Sequence, residues 1–217
     1  LFKRIFLLFV VCCFTILSVS AQNKVLIETT AGNITVKLYN ETPGHKQNFL
    51  SLVARSYYDS TIFHRVIKNF MIQGGDPESR TATPNKVFSD GGPGYTQPSE
   101  IKEKFIHKKG ALAAARQPDN YNSSRRSSGS QFFIVQGSIY PRIYLEKANK
   151  DKKVPYTEEQ KKVYETIGGA PHLDGAYTIF GEVIAGLDVV DKITAMETNR
   201  KDRPKQDVRI IRMTILK

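Results

Sequence analysis

This chain of 217 residues has only two cysteines, Cys12 and Cys13, and they are neighbours. Both lie in an uncharged apolar run, residues 5–19. From residue 22 onward there is no cysteine, which excludes a disulfide, thiol catalysis and a thiolate metal site in that part. Tryptophan is absent. Histidine is scarce: His45, His64, His107 and His172 are scattered, and no pair has metal-ligand spacing beside a carboxylate. No metal and no cofactor is expected. Acidic residues number 21 against 32 lysines and arginines, a formal charge of +11. The lysines are spread widely and aromatic residues do not interleave with them, so the excess reads as a solvated face and excludes nucleic acid as partner. The glycine-rich stretch Gly91-Gly92-Pro93-Gly94-Tyr95 lacks the Lys-Ser/Thr and the helix start of a phosphate loop.

What is there begins with Lys3 and Arg4, followed by the apolar run and by Val19-Ser20-Ala21. This is the pattern of a secretory signal peptide cleaved after Ala21. The alternative is a retained anchor, but about 15 apolar residues fall short of the ~20 that a span needs. Cleavage removes two cations, taking +11 to +9, and leaves no stable membrane insertion. Residues 22–217 are then one domain, a length suited to a single barrel.

Residues 24–29 and 34–38 read as strands of a hairpin joined by Thr30-Ala31-Gly32-Asn33. Thr42 and Pro43 read as N-cap and first residue of a helix to about residue 55, with Phe49, Leu52 and Val53 at helical spacing. Residues 77–100 read as loop. Strands are expected at 110–115, 131–136, 177–183 and 208–216, and a helix at 187–196 with Val189, Val190 and Ile193 as its apolar face. Thr157 and Gln160 form a capping box for a surface helix at 158–167, with a Glu158–Lys162 pair and Gly168 as the stop. Val163, Tyr164 and Ile167 are its docking residues.

The organising stretch is Phe63-His64-Arg65-Val66-Ile67-Lys68-Asn69-Phe70-Met71-Ile72-Gln73-Gly74-Gly75-Asp76. Residues 63–66 and 71–73 read as short strands, the second ended by glycines. Side chains alternate faces along a strand, so neighbouring strands place Arg65 and Gln73 on one face with Phe70 and Met71 beside them. A cation and an amide dipole then border an apolar patch.

This stretch resembles the core motif of the cyclophilins, the cyclosporin-binding class of peptidyl-prolyl isomerases. Gly110-Ala111-Leu112-Ala113-Ala114-Ala115-Arg116 resembles the family's second active-site segment. Ser128-Gly129-Ser130-Gln131-Phe132-Phe133-Ile134-Val135 resembles the third, and His172-Leu173-Asp174-Gly175-Ala176-Tyr177-Thr178-Ile179-Phe180-Gly181 the fourth. They occur in family order over residues 24–217. The resemblance implies a mainly β fold, a closed eight-stranded antiparallel barrel capped by two helices. To this the sequence adds the surface helix, in an insertion at about residues 138–170. That insertion is either a decoration or an element at the pocket rim that selects substrate or partner.

The resemblance also implies the activity: faster cis-trans rotation of X-Pro bonds (rotamase activity) in folding or unfolded exported polypeptides. It assigns Arg65, Phe70 and Gln73 to catalysis. Arg65 is the fixed donor to the twisted bond, and Gln73 holds a substrate carbonyl. Met71, Phe133 and Leu173 wall the proline pocket with Phe70, while Ala115, Arg116 and Gln131 line the peptide groove. His172 stands where many eukaryotic members carry tryptophan, and Tyr177 where they carry histidine; both belong to the substrate-binding set. Loop likeness to bacterial members implies a periplasmic destination; separately, a monomer is expected. The competing reading is a chaperone that grips proline segments without useful turnover.

Overall fold

Alternation of apolar and polar residues builds the first hairpin. In β1 (Lys24–Thr29) and β2 (Gly32–Leu38), Val25, Ile27, Ile34, Val36 and Leu38 all point inward and are buried. The computed structural model describes residues 23–83, 86–150 and 152–217, so the expected signal peptide at 1–21 lies outside the described residues. After the hairpin come α1 (Pro43–Ala54), β3 (Arg65–Ile67), β4 (Met71–Gly74), β5 (Thr96–Gln97) and β6 (Ala111–Ala114). Then follow β7 (Ser127–Ser128), β8 (Phe132–Val135), α2 (Arg142–Asn149), α3 (Glu158–Thr166), β9 (Ile179–Ala185), α4 (Leu187–Thr194) and β10 (Ile210–Leu216).

Eight strands form one curled antiparallel sheet in the order β10-β1-β2-β9-β6-β8-β4-β3, and β5 pairs with β7 apart from it. The expected closed barrel is corrected here: the sheet is open. β3 and β10 end the ladder and do not pair as strands. Between them a single bridge joins Ile62 and Arg209, with the Phe63 N–H donating to the Val208 carbonyl at 2.9 Å. The edge of β3 is occupied instead by a loop, whose Asp202 carbonyl accepts from the Val66 N–H at 2.7 Å. Strand β3 is also shorter than expected, starting at Arg65 and not at Phe63.

The inner face of the sheet and one face each of α1 and α4 share a single apolar cluster. Phe49, Leu52 and Val53 of α1 and Val190 and Ile193 of α4 lie in it with Ile72, Leu112, Phe132 and Ile134. Each such side chain contributes roughly 1.5–3 kcal/mol on burial. Pro43 opens α1 as expected, but the Thr42 hydroxyl turns back toward the Tyr39 carbonyl and caps nothing. The cap comes from far along the chain. The Gly44 and His45 N–H groups donate to the Glu100 carboxylate at 3.1 and 2.8 Å, and a carboxylate suits the positive end of a helix.

The insertion holds two helices where one was expected. Helix α2 buries only Leu145, so its sequence has no apolar stripe to read. Helix α3 has its capping box, with Gln160 N–H donating to Thr157 and Thr157 N–H to Gln160. Its docking is narrower than expected: Tyr164 is fully buried, whereas Ile167 is 51% exposed. Glu158 pairs with Lys161 and Arg142 and not with Lys162. The stem of the insertion is a close crossing of backbones. At Gly137 (φ +69°) a Cβ would sit 2.2 Å from the Gly169 carbonyl oxygen, so only glycine fits.

Candidate active site

Strand register brings the site together on the outer face of the sheet. Arg65 faces Gln73 across β3–β4, Gln73 faces Phe133 across β4–β8, and Phe133 faces Ala113 across β8–β6. One row therefore holds cation, amide, ring and a small residue that leaves space. The next row sets Ile67 opposite Met71 and Met71 opposite Val135. The turn between β3 and β4 needs Asn69 at φ +62°, a conformation asparagine tolerates. Its N–H donates to the Gln136 side chain at 2.6 Å, and the Phe70 carbonyl accepts from the Gln136 and Gly137 N–H groups at 2.9 and 3.0 Å. Those bonds fix Phe70 beside the row.

A pocket of about 100 Å³ opens there, lined by Arg65, Phe70, Met71, Gln73, Ala115, Arg116, Phe133, Leu173 and Tyr177. Two residues of the expected set, Gln131 and His172, do not line this pocket. Gln131 lies behind the pocket, where its side-chain oxygen accepts from Gln73 Nε2 at 3.0 Å. Its own amide is held by the Gly91 and Ser89 carbonyls, at 2.9 and 3.1 Å, and it lines a neighbouring groove of about 640 Å³. It orients Gln73, which keeps its other amide proton and its oxygen for a ligand. His172 is exposed at the rim, 5.2 Å from the Phe70 ring.

Arg65 is 43% exposed and meets one carboxylate, Asp202, at a long 3.5 Å. Its guanidinium is therefore weakly committed. Arg116 is the opposite case. Its Nε donates to the Ala176 carbonyl at 2.8 Å, it pairs with Asp119, and it lies 4.7 Å over the Tyr177 ring. Its side chain staples the wall, leaving its backbone to line the pocket.

A buried polar cluster that the sequence reading did not assign sits behind this wall. His107 stacks on Phe133 at 6.0 Å, with Nδ1 2.7 Å from Asp174 Oδ1. Tyr156 and Tyr164 donate their hydroxyls to Asp174 Oδ2 at 2.7 and 2.5 Å, and the Asp174 side chain is 4% exposed. Burial alone would raise the Asp174 carboxyl, but the bonds from His107 and Tyr164 overcome it and hold it below 3.8. Burial, reinforced by the Asp174 charge, pushes both tyrosines up, so they remain donors. The insertion thus grips the residue next to Leu173. The capping box located α3, but nothing local showed that Tyr164 turns inward.

His64 lies under Arg65, 4% exposed. Burial first, then the Arg65 charge, pushes it down from 6.5 to about 4. Below pH 6.5 the unfolded imidazole takes a proton that the folded one refuses until about pH 4. Stability therefore falls as pH drops through that window and levels off beneath it. The expected loss is about 3 kcal/mol at most. His45, lowered by burial against the pull of Glu100, adds in the same direction. Urea unfolding at pH 6.5 and 4.5 should show this loss, and His64→Gln should remove most of it; an equal slope in the variant rules the account out.

Among the described residues no three His, Cys, Asp or Glu side chains cluster as a metal site requires, and no helix is long and apolar enough to cross a membrane. The family model for cyclophilin type peptidyl-prolyl cis-trans isomerase/CLD matches residues 24–215. This chain belongs to the cyclophilins. The cyclophilin is 37% identical over 195 residues to peptidyl-prolyl cis-trans isomerase cypE of Dictyostelium discoideum, covering 89% of this chain and 97% of that one. It is 36% identical over 188 residues to a putative bifunctional phosphatase/peptidyl-prolyl cis-trans isomerase of Streptococcus pyogenes, covering 85% of this chain but spanning only 37% of that longer protein. A crystal structure of a Cryptosporidium parvum cyclophilin type isomerase superposes with a TM-score of 0.67 at 26% identity, over 90% of this chain and 98% of that one. A Cryptosporidium parvum structure obtained in the presence of the dipeptide Ala-Pro gives 0.63 at 25% identity, over 89% and 99% of the two chains.

Proposed function

We propose that this cyclophilin accelerates X-Pro rotation in polypeptides at the pocket between Arg65 and Tyr177, with Arg65 as the group that does most of the work. The carrying observation is the row Arg65–Gln73–Phe133, which sets a cation and an amide at the edge of an apolar pocket. Rotation about the peptide bond meets about 18–20 kcal/mol because planarity keeps amide resonance. A twisted bond loses that resonance, and its ring nitrogen becomes a better hydrogen-bond acceptor. A guanidinium aimed at that nitrogen binds the twisted state more tightly than either planar state, which is catalysis without bond breaking. Phe70, Met71, Phe133 and Leu173 seat the proline ring, and the Gln73 amide holds a backbone carbonyl beside it.

NMR exchange spectroscopy on a short X-Pro peptide with residues 22–217 tests this reading. Acceleration is the expected result. No acceleration, with the peptide still bound, would replace the isomerase by a proline-segment chaperone.

The segment at 1–21 supports an exported protein, periplasmic in a bacterium. The expected partners are polypeptides and not nucleic acid, since lysines are spread widely with no interleaved aromatic residues, and the expected state is a monomer. N-terminal sequencing of the secreted protein should begin at Gln22, and a chain retaining residue 1 contradicts cleavage.

A further inference from the structure

Arg65 also lines a second cavity, of about 310 Å³, with His64, Lys86, Phe88, Arg200, Lys201 and Arg203. Five cations stand here (Arg65, Lys86, Arg200, Lys201 and Arg203), and three carboxylates pair with them: Asp202 with Arg65, Glu78 with Lys86, and Asp207 with Arg203. The balance is positive by two. Arg203 is committed to the wall. It clasps Asp207 at 2.9 and 2.8 Å, donates to the Thr83 carbonyl at 2.7 Å and lies 5.4 Å over the Phe88 ring. Arg200 and Lys201 are exposed at the mouth.

The buried member of the lining is His64. Among the described residues neither of its ring nitrogens has a hydrogen-bond partner, although the side chain is buried. Burial and the flanking arginines keep it neutral, so it presents one N–H and one lone pair. Buried polar groups are normally paired, and an unpaired donor among cations is complementary to an anionic oxygen.

We propose that this cavity binds an anionic side chain, carboxylate or phosphoryl, of the same polypeptide whose proline occupies the adjoining pocket. The anion is held by Arg200 and Lys201 at the mouth, with the buried His64 ring in the wall beneath it. Arg65 lies between the two cavities, so a chain crossing it occupies both. This names a substrate class, acidic X-Pro segments, and it rests on the proline-pocket reading above.

The test is a series of peptides sharing one neutral Ala-Pro core, with glutamate or phosphoserine placed at increasing distance on either side. Exchange is measured for the protein and for the Arg200→Ala/Lys201→Ala variant. At one spacing the acidic peptide should exceed the neutral one about fivefold in kcat/KM at low salt, with the gain shrinking as salt screens it. In the variant that ratio should fall toward one. A ratio near one at every spacing, or a ratio the variant leaves intact, overturns the proposal. A larger gain with phosphoserine assigns the phosphoryl group, and an equal gain assigns the carboxylate. Separately, titration with inorganic phosphate should move the His64 ring signals saturably; signals that stay still while other surface residues shift overturn it. This last readout needs no turnover. Failure of the neutral peptide to be accelerated therefore sinks the isomerase reading, while the phosphate titration still decides the cavity.

Discussion

Replacing Arg65 with alanine is expected to lower kcat/KM for X-Pro exchange by a factor of roughly a hundred to a thousand. A single preorganised donor to a developing acceptor is worth about 2.7–4 kcal/mol in the transition state, and each ~1.4 kcal/mol is tenfold in rate. The fold should survive the change. Arg65 is half exposed, and its ion pair to Asp202 is long, so the stability cost is below about 1 kcal/mol. Peptide affinity should change less than rate, because the change leaves Phe70, Met71, Phe133 and Leu173, the proposed seat of the proline ring, in place. Arg65→Lys should fall in between, since an ammonium keeps the charge but loses the planar fork. Exchange spectroscopy gives the rate and a peptide titration gives the affinity. An alanine variant that turns over within about threefold of the parent removes Arg65 from the mechanism.

The second large effect concerns Asp174. Asp174→Ala leaves the Tyr164 hydroxyl and the His107 ring without their acceptor, and leaves the Tyr156 hydroxyl with the Pro171 carbonyl alone, in a place closed to water. Leaving buried donors unsatisfied costs about 1–3 kcal/mol for each, and two of them lower Tm by roughly 10 °C in a domain of this size. Tyr164→Phe removes one of the donors and should cost about 1–2 kcal/mol. The effect should also reach catalysis. Leu173 adjoins Asp174, and His107 backs Phe133, so two walls of the proline pocket loosen together. A KM increase should accompany the stability loss. The acid limb provides a further check. The Asp174 carboxyl is held below 3.8, so it stabilises the fold above that pH, and this contribution disappears as pH falls through the lower folded value. Asp174→Asn should flatten that limb. A double-mutant cycle of Tyr164→Phe with Asp174→Asn measures the coupling, and additive losses would deny that the insertion works through Asp174.

Much of the candidate site is legible in the sequence. Arg65 and Gln73 were expected on one face, and the register sets them directly opposite. Nine of the eleven named residues line one pocket. Gln131 and His172 lie outside that pocket for different reasons, although Gln131 lines the neighbouring groove with Ala115 and Arg116 as expected. Gln131 lies in the right strand region but turns its amide to Gly91, which no local pattern reveals. His172 precedes Leu173 in a short 3-10 turn, so it projects to the rim. The insertion was half legible: a capping box marks α3, whereas α2, docked through Leu145 alone, carries no periodic signal.

The sequence by itself determined the eight strands of the main sheet, both core helices, the family and most of the residues that line the pocket. These depend on alternation, helical spacing and motifs of fourteen residues or fewer. The short pair β5 and β7 falls in stretches that read as loop. Tertiary structure decided everything that depends on side chains meeting from distant places. It gave α1 a cap from Glu100, 55 residues beyond His45, and gave His107 its partner Asp174, 67 residues on. It left the sheet open, with a loop and not β10 along the edge of β3. It also gathered Lys86, Arg200 and Lys201 around a buried His64. The physical reason is one of range: backbone preference is set by neighbours in the chain, whereas charge pairing and hydrogen-bond satisfaction are set by neighbours in space.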